Sequence, residues 1–200
     1  MVVLEPLDAQ RHAPALWKAV SGHDDIWAWM PDGPFANEAE FRQAIEMKQA
    51  AQDAVFLAVV PVETRQAGGY ASWMRTDAAN GVAEVGNILL APALQRTTAA
   101  TEAMYLMASH IFDLGYRRYE WKCNAANAPS RRAAERLGFS FEGVFRQHMV
   151  VKGRNRDTAW FAMLDHEWPA RKQAFERWLD PANFDENGRQ IVKLKASQSG

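Results

Sequence analysis

The stretch Ala83–Ala103, AEVGNILLAPALQRTTAATEA, constrains this chain more than any other. Its first half reads as a strand. Val82, Val85, Ile88, Leu89 and Leu90 are β-prone or apolar on both faces and Pro92 ends the run, as in a strand buried mid-sheet. Gly86 interrupts it and predicts a bulge or a close backbone approach, with main-chain groups turned toward a ligand rather than a neighbouring strand. Gln95, Arg96, Thr97, Thr98, Ala99 and Ala100 then lead into a helical repeat of Ala100, Met104, Met107, Ile111 and Leu114. Unpaired amides at that helix start, with the positive end of its dipole, suit a phosphate.

Around this stretch the patterning switches from strands to strand–helix alternation. Val2 to Leu7 predicts a strand and Ala9 to Val20 a helix with Ala13, Leu16, Trp17 and Val20 inward. The segment Asp24–Phe35 is too rich in aromatics and methionine for a plain connector, and its prolines and glycine hold it in a set path. Asn37 caps a helix with Glu38 and Glu40 in its first turn and Phe41, Ala44, Ile45 and the stem of Lys48 inward. Asp53–Pro61, Gly68–Thr76 and the strand from Val82 form a meander. After it come a helix (Thr97–Leu114), a strand (Arg118–Cys123), a helix (Asn127–Leu137) and a strand (Phe139–Val150). The turn Lys152–Arg156 leads to a last strand through Trp160–Leu164, and a helix covers Trp168–Leu179, stopped by Pro181. The expectation is an α+β fold, with a mixed, mostly antiparallel central sheet of about seven strands and helices on both faces. Residues 1–180 make a single domain and 181–200 a C-terminal tail, frayed at Gln198, Ser199 and Gly200.

Charge and composition narrow the function classes. The 23 basic and 24 acidic residues of the 200 leave a net charge of −1, so no global field draws in nucleic acid or an anionic membrane. Any anion must be caught locally. A single cysteine, Cys123, forms no internal disulfide, Met1–Glu5 lacks the character of a signal peptide, and no apolar run is long enough to span a membrane. These features predict a soluble, cytoplasmic protein. His12, His23, His110, His148 and His166 show no metal-ligand spacing, so no metal is expected.

Two motifs together resemble the GNAT superfamily of acyl-CoA-dependent N-acetyltransferases, and within it the RimJ/RimL-like branch that acetylates N-terminal amines of ribosomal proteins. One is Glu84-Val85-Gly86 followed by Gln95–Ala103, similar to the family's strand, phosphate loop and helix. The other is Asn127-Ala128-Pro129-Ser130 running to Leu137-Gly138-Phe139. The resemblance covers roughly Val2 to Trp168. It departs at Thr98, which stands where the family's loop usually carries its first glycine; Ala100 fills the second position, usually glycine or alanine. A Cβ at the first position crowds the approach of phosphate oxygens, and the Thr98 hydroxyl and Arg96 charge can compensate.

The resemblance implies transfer of an acetyl group from acetyl-CoA to a primary amine by direct attack in a ternary complex, releasing coenzyme A. Pantetheine then lies along Ile88, Leu89 and Leu90 like an added strand, and the diphosphate on Gln95, Arg96, Thr97, Thr98, Ala99, Ala100 and Thr101. Asn127 is expected to hold the pantetheine arm, although an N-cap explains its type equally well. An alkylammonium must lose a proton before it attacks, for which Glu84 is the candidate base and Glu120 and Asp77 weaker substitutes. Ser130 is the candidate proton donor to the leaving thiolate, because Ala134 stands where many relatives have a tyrosine. Cys123 reads as a buried small hydrophobe rather than a nucleophile. For the amine acceptor, a peptide N-terminus or small molecule, we expect Trp27, Trp29, Met30, Phe35, Tyr70 and Trp73, with His148 and Arg154 as contributors. The plain alternative is that these aromatics plug one end of the core. Other readings are a transferase using another acyl-CoA such as succinyl-CoA, and a non-catalytic acyl-CoA-binding module. Oligomeric state stays open, a homodimer included.

Overall fold

Short polar side chains open the helices. In a computed structural model describing residues 1–194 and 196, Asp8 accepts from the Arg11 amide at 2.8 Å and starts helix α1 (Ala9–Val20) after strand β1 (Val2–Pro6). Asn37 accepts from the Glu40 amide at 3.0 Å and starts α2 (Glu38–Gln49), while the Glu40 carboxylate reaches back to the Ala36 amide. Strands β2 (Ala54–Pro61), β3 (Gly69–Asp77) and β4 (Val82–Leu90) follow. Beyond them lie α3 (Thr98–Asp113), β5 (Arg118–Asn124), α4 (Ala128–Arg136), β6 (Ser140–Val151), β7 (Arg154–Leu164) and α5 (Trp168–Leu179). The fold is α+β, with seven strands of a mostly antiparallel sheet and five α-helices. Most boundaries differ from the sequence expectation by one residue, as frayed element ends do, but β7 starts at Arg154, inside the turn expected over Lys152–Arg156, because Arg154, Asn155 and Arg156 pair with β6.

The chain divides into two compact units. The first comprises residues 1–77 and 84–103. Its strands are ordered β1-β2-β3-β4, with antiparallel registers such as Leu4↔Val59 and Leu57↔Ala71. Leu16 and Val20 from α1, Phe41 and Ile45 from α2, and Ala58, Tyr70 and Leu89 from the strands form its core. Burying each large apolar side chain contributes about 1.5–3 kcal/mol. Gly69 is required by packing, since a Cβ there would come within 2.4 Å of the Leu89 carbonyl oxygen.

The aromatic segment after α1 is not plain loop. Asp24–Trp27 forms a 3-10 turn, which the sequence pattern did not reveal. Trp27 then packs edge-on against Phe35 at 5.2 Å and Phe41 at 6.2 Å. Gly33 has φ +65, and a Cβ there would meet the Trp27 ring at 2.5 Å. Lys48 buries its stem and pairs with Asp32, its ammonium 5.7 Å from both the Phe56 and Tyr70 ring centroids.

The second unit comprises residues 78–83 and those from 104 onward. Its strands are ordered β5-β7-β6, antiparallel, from Arg118↔Leu164 to Asn124↔Thr158, with two register shifts between β6 and β7. Phe112 stacks on Trp168 at 5.0 Å, and Tyr119, Phe161, Met163 and Phe175 are buried nearby in the chain's apolar set. The stretch after α5 folds back onto this unit. The Trp178 indole donates to Gln190, Asn183 bonds both Trp178 and Val192, and Leu194 is buried. The fraying expected at Gln198–Gly200 lies outside the described residues. Among the described residues no helix is long and apolar enough to cross a membrane.

Candidate active site

The turn from β4 into α3 is built by side chains that return to it. The Gln95 amide donates to the Leu90 carbonyl at 2.9 Å. The Thr97 hydroxyl donates to the Leu94 carbonyl at 2.7 Å and accepts from the Ala100 amide at 3.1 Å, capping α3. That cap uses the Ala100 N–H, and the Thr97 N–H points to Leu94. The amides of Arg96, Thr98 and Ala99 donate to no protein acceptor among the described residues. Three such amides at a helix N-terminus suit an anion. Thr101 turns its hydroxyl back to the Thr97 carbonyl.

Thr98 costs the loop no backbone strain. The left-handed residue here is Arg96, φ +64, whereas Thr98 is the first residue of α3. The crowding that a Cβ at position 98 adds is therefore limited to the space a phosphate would take.

A kink interrupts β4, and its unusual dihedral falls on Asn87, φ +50, rather than on Gly86. Asparagine tolerates this region better than most residues. Arg75 on β3 is also left-handed, φ +46, so both strands depart from regular pleating here. What comes close to Gly86 is the Met74 sulfur, 2.4 Å from an ideal Cβ position. The Gly86 carbonyl accepts from the Ser72 hydroxyl at 3.1 Å, and the Asn87 amide group donates to the same Ser72 oxygen at 3.3 Å. Glu84 lies just before the kink, 3 % exposed, with Oε1 accepting from Arg75 at 2.7 Å. Leu89 belongs to the core, and Ile88 and Leu90 are half-buried.

In the second unit, Asn127 caps α4 by accepting from the Ser130 amide at 3.1 Å. The Ser130 hydroxyl accepts from the Trp121 indole at 3.1 Å, which ties the helix start to β5. Burial pushes the Cys123 thiol above its ordinary range, against a weaker pull from Ser130, Arg156 and Arg131. Glu120 is held by Arg118 and Lys122, each at 2.7 Å. Burial pushes its carboxyl up, but the hydrogen bonds and charges of Lys122 and Arg118 together outweigh that and hold it below the usual carboxylate range. Asp77 is exposed at the end of β3.

The six aromatic and methionine candidates separate by burial. Trp27, Met30 and Tyr70 are core residues, and burial, then the Asp32 charge, raises the Tyr70 hydroxyl's pKa. Trp29 is 43 % exposed, and Phe35 and Trp73 are half-buried. His148 lies 2.9 Å from the Thr158 hydroxyl, and Arg154 is exposed. Ser72 and Arg75 in the first unit, bonded to Gly86 and Glu84, and Trp121 in the second, bonded to Ser130, were not singled out from sequence. Asn87, following a mid-strand glycine, was the signal available.

A model of the acetyltransferase (GNAT) domain matches residues 2–140. The chain belongs to the GNAT acetyltransferases. A GCN5-related N-acetyltransferase from Brucella melitensis shares 51 % identity and a TM-score of 0.94, with 96 % of this chain and 89 % of that one aligned. A probable GNAT acetyltransferase from Chromobacterium violaceum shares 45 % identity and a TM-score of 0.80 over 84 % and 85 % of the two chains. In sequence, the uncharacterized N-acetyltransferase p20 of Bacillus licheniformis is 26 % identical over 147 residues, 72 % of this GNAT chain and 83 % of p20. No group of three or more His, Cys, Asp or Glu among the described residues could hold a metal.

Proposed function

We propose that this GNAT enzyme transfers an acetyl group from acetyl-CoA to a primary amine, by direct attack in a ternary complex, with residues 1–180 as one catalytic domain. The observation that carries the reading is the set of unengaged amides at Arg96, Thr98 and Ala99. They fit a diphosphate, with the Arg96 guanidinium adding charge. MccE, a microcin C7 self-immunity acetyltransferase that shares this fold at 22 % identity, has been solved with acetyl-CoA and AMP. That likeness supports the same use of the fold here.

The main chain of Ile88, Leu89 and Leu90 is assigned to the pantetheine arm, and Asn127 and Ser130 keep the cofactor roles the resemblance implies for them. Main-chain amides near Asn87 steady charge that develops on the thioester oxygen. Glu84 takes the proton from the incoming ammonium once Arg75, half-exposed at the rim of the pair, shares or yields its hold. Ser130 supplies a proton toward the departing sulfur. Trp29, Phe35 and Trp73 can meet an acceptor as placed, and Trp27, Met30 and Tyr70 shape the wall behind them.

For the acceptor we favour a protein N-terminus, in the manner of the RimJ/RimL-like branch. A Salmonella typhimurium enzyme that modifies the N-terminal serine of ribosomal protein L7/L12 shares the fold at 20 % identity. The reading places the protein in the cytoplasm, as monomer or homodimer, without nucleic acid, membrane or metal. Two alternatives share the fold. A transferase of another acyl group, such as succinyl, would show a larger thermal shift with succinyl-CoA than with acetyl-CoA. A non-catalytic acyl-CoA-binding module is favoured by the Arg75 grip on Glu84, and would shift without releasing thiol. A ligand at a hundred times its Kd adds about 2.7 kcal/mol to stability, enough to read in a melting curve. Thiol release with peptides starting in serine or alanine supports the enzyme. Thermal shift with no thiol release from any amine contradicts it.

A further inference from the structure

The first unit contains a cleft that the acetyltransferase reading leaves unused. It has a volume of about 540 Å³ and draws no lining residue from β4, α3 or the turn between them. That volume is within the range of small-molecule sites, roughly 300–1,000 Å³. One wall is the face of α1 carrying Arg11, Pro14, Ala15 and Lys18, residues spaced three and four apart. The other is the β2–β3 turn with Arg65, Gln66 and Ala67, while Val60, Glu5 and His12 complete the lining.

The charges in this cleft do not cancel. Glu5 Oε2 accepts from Arg11 and lies 3.4 Å from His12 Nε2, so the single carboxylate of the lining is matched by Arg11. His12 Nδ1 accepts from the Asp8 amide at 3.0 Å, so the ring's other nitrogen, Nε2, is the one that faces Glu5. Lys18 and Arg65 have no carboxylate partner among the described residues. Both side chains are exposed, one on each wall. The lining carries two uncompensated positive charges in a chain whose net charge is −1.

We propose that this cleft is a second ligand site, for a small molecule ending in a phosphate monoester. A phosphate dianion matches the surplus of two charges, the Arg65 guanidinium suits its paired oxygens, and Lys18 acts as a point charge from the opposite wall. Gln66 can donate to a remaining oxygen, and Pro14, Ala15, Val60 and Ala67 offer apolar surface to the organic body. A carboxylate monoanion neutralises half of the surplus and binds more weakly.

Calorimetric titration of the full chain with phenyl phosphate, with and without dephospho-coenzyme A, which keeps the diphosphate and lacks the phosphate monoester, tests this, using benzoate as the monoanion control. We expect one saturable phenyl phosphate site, unaffected by dephospho-coenzyme A, with benzoate much weaker. Lys18→Gln and Arg65→Gln should each weaken binding roughly tenfold, the loss of one charge-assisted hydrogen bond, and leave the melting temperature unchanged because both side chains are exposed. No binding, displacement by dephospho-coenzyme A, or undiminished binding by both variants overturns the proposal. A protein that binds phenyl phosphate but not coenzyme A keeps this site and loses the acyl-CoA reading.

Discussion

At the residue scale the account turns on Glu84, a buried carboxylate held by Arg75. Glu84→Gln keeps the side chain's shape and removes its basicity, so kcat should fall roughly hundredfold or more, the usual contribution of a general base. The thermal shift with acetyl-CoA should survive, and a variant that loses both would mark Glu84 as structural. Ser130→Ala removes a neutral hydroxyl already engaged by Trp121. A neutral hydrogen bond is worth about 0.5–1.5 kcal/mol, so a roughly two- to tenfold loss in kcat is expected from steady-state kinetics. Glu84, Ser130 and Asn127 were nameable from sequence because they sit in the two motifs that resemble the family's. The sequence could not show that Arg75 clasps Glu84 or that Trp121 reaches Ser130, since both contacts join residues that only strand pairing or helix docking brings together. Nor could it separate Trp27, Met30 and Tyr70, which are buried in the core, from Trp29, which is exposed. Aromatic content alone does not say which ring meets water.

At the element scale, the strands owe their spacing to glycines that act for different reasons. Gly69→Ala drives a Cβ into the backbone of β4, 2.4 Å from the Leu89 oxygen, and should destabilise by about 1–3 kcal/mol in urea unfolding. Gly86→Ala meets the movable end of Met74 and should cost much less. Equal costs would contradict this contrast. The sequence read Gly86 as a bulge or a close backbone approach; Asn87 carries the positive φ, and what Gly86 makes room for is the sulfur of Met74. A lone strand glycine announces irregularity without saying which neighbour bends. On the other strands, Arg118 bonds both Glu120 and Glu142. The Arg118 hydrogen bond holds the Glu142 carboxyl below its ordinary value of about 4.3. A carboxyl lowered in the native state stabilises fully above its unfolded value and loses that contribution as pH falls through the native one. Unfolding followed from pH 5 down to 2 should therefore be less steep in Glu142→Gln than in the wild type, and identical slopes would remove the pair from the acid response.

At the scale of the whole molecule, element types and order were readable because hydrophobic period and capping residues agree along the chain. Asp8, Asn37, Thr97 and Asn127 all cap helices with their own side chains. The 3-10 turn at Asp24–Trp27 and the return of residues 181–194 onto the second unit were not readable, because short irregular segments are fixed by tertiary packing rather than period. The turn from β4 into α3 combines both cases: its position follows from the sequence, and its unengaged amides only from the hydrogen bonds of Gln95 and Thr97. Arg96→Gly should leave the melting temperature nearly unchanged, since relief of a left-handed arginine offsets glycine's entropy, while weakening acetyl-CoA binding through the lost charge. Calorimetry and melting curves on that variant separate the two effects. The most direct measurement is a crystal structure of the protein grown with coenzyme A. The account predicts diphosphate oxygens within hydrogen-bonding distance of the amides of Arg96, Thr98 and Ala99; nucleotide density bound elsewhere, with those amides still unengaged, would contradict it.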